Sequence, residues 1–590
     1  MLTRTLAVLV VSMSVVLAGC KGTVGGTGGS GGSTGGGSAT GGGSATGGGS
    51  ATGGGSATGG GSATGGGSAT GGGSATGGGS ATGGGSATGG GSATGGGSAT
   101  GGGSATGGGS GTGGGSSGAA TVLQHHHDAA RSGLYVDAAL TKAAMSTFHR
   151  DQTFSVTLDG PVYAQPLFLD SALDGGVDGV LVATEQNVVH MIDANDGGTL
   201  WKVTLAPPVA LSNLPCGNID PLGITGTPVI DLPNRTIYVD TMTSPDNGAT
   251  KKHQVWALSL DTGATKSGWP VDIETALNGH NPTFDSAHQN QRGGLALLNG
   301  KLYVPYGGHY GDCGTYYGWV VGIDTTNRSA TAFNTAKAGG GIWNVSGLSY
   351  DGTHFFVATG NTFNANNNWG GGDGVYALQP GPTWSTNTSD YWAPTNWQDL
   401  DNQDLDMGTA IPIDAPGVTP SAMIAALGKD GNLYLLNRST LGGIGGELTS
   451  KQIGNSELNG APTTYTTAAG TFVVNRIDGS SGTSCTNSGT GNLVAAKITS
   501  GPTINASWCG THTGLSVPTV SMSTPGQDAI VWTMSNTKLY AYDGETGAEL
   551  FNGGTANDSL ATGTSYFNTP IIAKGRVWVA AKSRLYVFKP

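Results

Sequence analysis

Gly179-Val-Leu-Val-Ala-Thr-Glu-Gln-Asn-Val-Val-His-Met-Ile-Asp193-Ala-Asn-Asp-Gly-Gly-Thr-Leu-Trp201 holds two β-branched runs, a polar turn between them and an Asp/Gly turn leading to an aromatic residue. Its apolar residues come in short runs without a 3.6-residue period, so the stretch reads as a small antiparallel sheet. The unit opens at Gln165-Pro166-Leu167, a small or polar residue, Pro and an apolar residue, and comparable openings recur down the chain. They are Thr227-Pro228-Val229, Gly294-Leu295-Ala296, Ser346-Gly347-Leu348, Thr409-Ala410-Ile411, Ala461-Pro462-Thr463, Val517-Pro518-Thr519 and Thr569-Pro570-Ile571, roughly 50 to 65 residues apart. One such sheet cannot bury both of its faces, and eight stacked radially around an axis can. The expected fold is therefore all-β, an eight-bladed propeller of four-stranded antiparallel blades spanning 153–590. After Thr569 the chain has room for three strands only, so the fourth strand of the last blade is expected from 153–158, which locks the ring.

Outward from this domain the composition changes. Of 62 charged residues only Arg4 and Lys21 precede residue 121, while Gly, 111 in all, is concentrated there. Residues 35–106 are twelve uninterrupted copies of Gly-Gly-Gly-Ser-Ala-Thr, and imperfect copies extend the tract over 21–118. No core can form from it, and the expectation is a flexible, disordered tether with an end-to-end distance of about 50–60 Å. Ahead of it, Arg4 precedes a short apolar run ending in Leu17-Ala18-Gly19-Cys20. Residues 1–20 are laid out as a secretory signal. The tetrapeptide resembles the bacterial lipobox, which implies lipidation of Cys20 and a membrane-anchored protein of the cell envelope. Lys21 after that Cys leans toward the outer membrane. The formal charge of −12 argues against nucleic-acid binding. Outside the tether there is no Gly-x-Ser-x-Gly elbow, Walker loop or His-Glu-x-x-His stretch.

Asp193 to Trp201 has two counterparts, Asp543-Gly-Glu-Thr-Gly547-Ala-Glu-Leu-Phe551 and the looser Asp261-Thr-Gly263 ending at Trp269. The pattern resembles the tryptophan-docking repeat of propellers that bind pyrroloquinoline quinone (PQQ), the quinoprotein alcohol dehydrogenases, and especially the PQQ-like repeat lipoproteins of unassigned activity. A sharper local likeness lies in Gly339-Gly340-Gly341-Ile342-Trp343, Thr359-Gly360-Asn361 and Gly372-Asp373-Gly374. By this resemblance Trp343 is the floor on which the quinone stacks, Asn361 a Ca²⁺ ligand and Asp373 the general base. The chemistry suits those residue types. Ca²⁺ takes oxygen ligands and polarises a quinone carbonyl, and a carboxylate accepts the alcohol proton as hydride leaves. Read without the resemblance, Gly-Asn and Gly-Asp are turn dipeptides and Trp343 is core.

The family also places two adjacent, disulfide-bonded Cys over the quinone and a Glu on Ca²⁺. Here the comparable stretches offer the single Cys216 and, counting back from Gly318-Trp319-Val320, Cys313. Beyond Cys20 four Cys remain in an exported chain, which suggests two disulfides out of three possible pairings. Cys485 and Cys509 flank one hairpin-like segment and are expected to pair locally, leaving Cys216 with Cys313. By the family alignment this second bridge would cross the mouth of the channel where the quinone lies.

Consecutive His125-His126-His127 point in different directions and are not read as a metal site; the run His127-Asp128-Ala-Ala-Arg131-Ser-Gly133 resembles the entry segment packed beneath many PQQ-like rings, and 119–152 is read as that structural lead-in. Asp399-Leu-Asp401-Asn-Gln-Asp404-Leu-Asp406 lacks the spacing of a Ca²⁺ hand loop. Because it enters the fifth blade, Asp404 or Asp406 is a candidate cation ligand facing the channel; otherwise they cap turns. Arg292 is a candidate anion or carbonyl contact at the axial end. Two functions follow. The first is a surface-tethered binding or scaffold module, a monomeric ring holding a protein or polymer on its axial face. The alternative is a PQQ- and Ca²⁺-dependent alcohol or sugar dehydrogenase.

Overall fold

The computed structural model describes residues 120–590 apart from 364–366, 459, 479–484, 488–490, 511 and 513–515. Within 32–112 it describes the backbone of the short strands in the repeat tract. Cys20 and the signal segment lie outside the described residues. In the tract, each Ser-Ala-Thr triplet is a three-residue strand that pairs in parallel with the triplet twelve residues on, Ser38 opposite Ser50 and Ser44 opposite Ser56. Alternate triplets thus build two seven-stranded sheets. Among the described residues the tract clusters apart from the propeller and contributes no strand to its blades, as expected of a tether.

The residues from Gly118 to Pro590 form a separate compact unit. All eight expected openings lead into the first strands of eight antiparallel blades. The unit quoted above is the first blade, with strands Leu167–Leu169, Gly179–Ala183, Val188–Asp193 and Thr199–Thr204 in sequential order. The last blade closes as the strand count demands: Arg576–Lys589 pairs with Ile571–Ala573 on one side and with the amino-terminal His149–Val162 on the other. That register, Val156 opposite Leu585 and His149 opposite Lys589, ties the two ends of the propeller together. Among the described residues two short α-helices interrupt the β pattern, Ile273–Ala276 and Trp397–Gln403.

Aromatic–glycine contacts join the first blade to the second and the sixth to the seventh. Trp201 of the first blade donates its indole N–H to the Leu260 carbonyl of the second at 3.0 Å. Its ring covers Gly263, which has φ +69°, and a Cβ there would stand 2.6 Å from Trp201 Cε3. Gly is needed at this position both for the left-handed backbone and for the close approach of the indole. Trp508 of the sixth blade makes the equivalent contact with the seventh, donating to Gly544 O at 2.8 Å and lying against Gly547.

Residues 120–136 run along the inner strands around the axis. Val122 bridges Phe168 of the first blade, Leu123 accepts from Ile230 N of the second and Tyr350 N of the fourth donates to Ala129. Farther on, Ser132 accepts from Thr464 N of the sixth blade, and Leu134–Val136 adds a parallel strand to the seventh. Arg131 is fully buried. Its guanidinium donates to the carbonyls of Leu348 (2.9 Å), Leu295 (3.0 Å) and His125 (2.8 Å) and to Gln124 Oε1 (3.1 Å). His125 and His126 are buried, and His126 Nδ1 lies 3.1 Å from Arg131 O. The lead-in segment is thus a plug in the ring, and the histidine run is part of it.

Candidate functional site

Loops at the axial end of the ring enclose a cavity of about 750 Å³. Half-buried Trp343 lies in its lining. It follows Gly339-Gly340-Gly341, whose backbone runs flush against the loop after Phe355–Thr359. Gly340 N donates to Asn361 O at 2.6 Å, and Gly360 N donates to Gly341 O at 2.9 Å. A Cβ on Gly339 would sit 2.5 Å from Asn361 O. The glycine run therefore brings Trp343 and Asn361 together by direct backbone pairing.

The helix Trp397–Gln403 ends at Asp404, which takes the left-handed conformation (φ 57°) and reverses the chain just before the first strand of the fifth blade, Met407–Asp414. This turn exposes Asp404 to the cavity and buries Asp406 in its wall. Asp406 Oδ1 accepts from Asn361 N at 2.6 Å, and Asp406 Oδ2 pairs with Lys429 Nζ at 2.5 Å. Lys429 Nζ also lies 3.4 Å from Asp404 Oδ1 and 5.9 Å from the centre of the Trp343 ring. The outer atom of the Asn361 carboxamide stands 2.9 Å from Asp406 Oδ1 and 3.3 Å from Asp404 Oδ1. With nitrogen there, the amide donates to both carboxylates. Turned over, it brings three oxygens together at about the ligand–ligand spacing of a hard cation. Burial pushes the Asp406 carboxyl up to about 6, with Lys429 pulling it back. Burial alone would lower the Lys429 ammonium; Asp406 and Asp404 outweigh it and hold it above its usual range.

Asn361, Asp404 and Asp406 are thus neighbours, beside Trp343. Asp373 is placed differently: it is fully buried and is not among the cavity-lining residues. Burial, then the charges of Asp406 and Asp401, raise its carboxyl well above the usual range. Asp401 instead secures the Asn361 loop, accepting from Thr362 N at 2.6 Å and Thr362 Oγ1 at 3.1 Å.

Arg292, Tyr163 and His309 also line the cavity. Burial keeps His309 at about 4, hence neutral, and its Nε2 lies 3.2 Å from Ala287 O, so that nitrogen carries the proton. Beneath Arg292, fully buried Glu185 accepts from Gly223 N (2.7 Å) and Thr225 Oγ1 (2.9 Å). Burial pushes its carboxyl up to about 7, and those donors with Arg292 only partly offset this. A folded value above the ordinary 4.5 makes its contribution fully present below pH 4.5 and lost as the pH rises through about 7. Chemical denaturation of the wild type against Glu185→Gln should show the wild type losing about 3 kcal/mol more between pH 4.5 and 8. Equal slopes would place the Glu185 carboxyl in water.

Both disulfides pair as expected, Cys216 with Cys313 (Cα–Cα 6.0 Å) and Cys485 with Cys509 (5.8 Å). The first ties the loop of Asn218 and Ile219 to that of Tyr310 and Asp312, residues that line the cavity. Sequence reading missed Lys429, which sits in a Gly428–Gly431 turn like many others, and Glu185 and His309, which carry no local motif.

No protein-family model and no curated protein sequence matches the chain. Among solved structures it is similar to the quinohemoprotein alcohol dehydrogenase of Comamonas testosteroni, with a TM-score of 0.56 and 14% identity, covering 79% of this chain and 80% of that one. It is also similar to a europium-containing methanol dehydrogenase, with a TM-score of 0.55 and 13% identity over 80% of this chain and 98% of the other. With both the likeness is one of fold: the chain is an eight-bladed β-propeller with the architecture of these two dehydrogenases.

Proposed function

We propose that the ring is a quinone-dependent dehydrogenase that oxidises a hydroxyl-bearing substrate, with PQQ and a hard cation held in the axial cavity. The observation that carries this is the convergence of Asn361, Asp404 and Asp406 beside Trp343 in an open cavity. The donor set fits the group. Two carboxylates and an amide oxygen suit Ca²⁺, or a trivalent ion such as the europium in one of the similar structures. The indole offers a flat apolar face. Bound there, the quinone would supply the two-electron acceptor for the substrate's hydride, its carbonyl polarised by the cation.

The chain's own residues do the rest. Trp343 supports one face of the ligand and excludes water from it. Asp406 fixes Asn361 through its backbone N–H and holds Lys429 through its other oxygen. Asp404, open to the cavity, accepts the hydroxyl proton at a carboxylate oxygen. Arg292 meets an acidic group of the ligand. A second reading, a binding module without cofactor, is favoured by Cys313 in the position where the family carries a Glu. Under either reading, lipidation at Cys20 and the repeat tract would hold the propeller at a distance from an envelope membrane.

Calorimetric titration of the whole protein with PQQ and Ca²⁺ together separates the two. One-to-one binding with a Kd of about 1 μM or tighter is expected. No heat with Ca²⁺ or a lanthanide at high protein concentration would overturn the dehydrogenase reading.

A further inference from the structure

Among the described residues only two Phe, Tyr or Trp side chains are strongly exposed, Tyr310 at 64% and Tyr566 at 51%, and both line this one cavity. They come from loops far apart in sequence, Tyr310 after the strand Lys301–Gly308 and Tyr566 ahead of Ile571–Ala573. Neither is a loose surface ring. The Tyr310 loop is stapled by the Cys216–Cys313 bridge and by Tyr316, which donates to Asp312 at 2.5 Å. Tyr566 lies under the Arg476 guanidinium at 5.8 Å and beside Phe567 at 6.1 Å. Two fixed aromatic faces at one opening are preorganised for a flat ligand with an apolar face and polar edges.

Charge narrows the ligand further. Asp312, Asp404, Glu457 and Asp478 line the cavity beside Asp406, against the cations Arg292 and Lys429, which disfavours an anionic substrate. Three of the acids already have cationic partners, Asp406 and Asp404 in Lys429 and Asp478 in Arg476, so the lining does not call for a cationic substrate either. Asp312 is exposed and accepts one hydrogen bond from Tyr316. A carboxylate has about four acceptor positions, so it retains capacity for hydroxyl donors. Space is ample: the cavity of about 750 Å³ lies in the upper part of the range of small-molecule sites, about 300–1,000 Å³. Stacking faces, hydroxyl acceptors and spare volume together describe a pyranose ring.

We infer that Tyr310 and Tyr566 form a saccharide-binding rim and that the hydroxyl-bearing substrate of the cavity is a neutral sugar. Its role as substrate rests on the dehydrogenase reading; its binding does not. The test is titration of the whole protein, without cofactor, with glucose, galactose, maltose and cellobiose, with 1-propanol and gluconate as controls. At least one neutral sugar should bind in the millimolar range and neither control should. Tyr310→Ala and Tyr566→Ala should each weaken that binding about tenfold, and the double variant should show none. An unchanged thermal transition would show that these exposed positions leave the fold intact. No sugar binding up to about 50 mM, or equal binding by the double variant, overturns the inference. Sugar binding by a wild-type protein that takes up no PQQ would leave the rim standing and remove the dehydrogenase. PQQ uptake without any sugar binding would do the reverse.

Discussion

Replacing Arg131 by Met is expected to destabilise the propeller by about 3–5 kcal/mol, the largest loss for any single substitution in the plug. The side chain has no solvent exposure and spends its donors on four acceptors, the carbonyls of Leu348, Leu295 and His125 and the Gln124 amide oxygen. Met fills similar volume without a single donor. Each buried acceptor left bare costs about 1–3 kcal/mol, less whatever water can reach it. Burial lowers the guanidinium to about 10, so it stays charged at neutral pH, and the counter-charge that holds it up is Asp128. Lys at 131 should recover little, because one ammonium cannot match the planar fork that spans the third and fourth blades. The check is the denaturant midpoint of wild type, Arg131→Met and Arg131→Lys. A shift worth less than about 1 kcal/mol would mean that the plug rests in the ring without clamping it. The effect bears on the site as well, because His125, whose carbonyl Arg131 holds, lines the cavity.

The blades were legible because each announces itself locally. A similar opening ahead of β-branched runs recurs in eight segments, three of them carry the Asp/Gly turn before an aromatic, and the missing fourth strand of the last unit could be counted. Trp201 and Gly263 were legible as members of a repeat, though not as partners across the two blades. The path of 120–136 was not. It is held largely by contacts to backbone carbonyls of distant blades, and these carry no residue signature or period. At the site, Trp343, Asn361, Asp404 and Asp406 could be singled out by type, yet their spacing gave no means of ranking Asp373 against Asp404. Both are acids in left-handed turns, with φ 49° and 57°. Only the short helix Trp397–Gln403, unforeseen in an all-β reading, turns Asp404 toward the cavity while Asp373 is buried. Tyr310 and Tyr566 were unreadable because exposure is a property of the closed ring.

Trp343→Ala should weaken PQQ binding at least a hundredfold if the cavity holds the quinone as proposed. One face of an indole covers about 100 Å² of ligand, and at about 25 cal/mol per Å², counted on both surfaces, the stack is worth up to about 5 kcal/mol. Allowing for water that refills the space, about 3 kcal/mol is lost, a factor of more than 100. The fold should survive, because Trp343 is half-buried and its indole N–H has no partner to lose. Asp406→Asn separates the floor from the cation. It removes one of the two charges facing Asn361 and the partner of Lys429, so binding should lose its dependence on Ca²⁺ while Trp343 still contributes stacking. The pair of variants therefore makes a pattern that nonspecific adsorption cannot imitate. Quinone affinity falls in Trp343→Ala at every Ca²⁺ concentration, and in Asp406→Asn it falls only to the level the wild type shows without Ca²⁺. If Trp343→Ala binds as the wild type does, the quinone is not stacked on this floor. If Asp406→Asn keeps its Ca²⁺ dependence, the three oxygens are not the cation site, and Asn361 stays turned with its nitrogen toward the carboxylates.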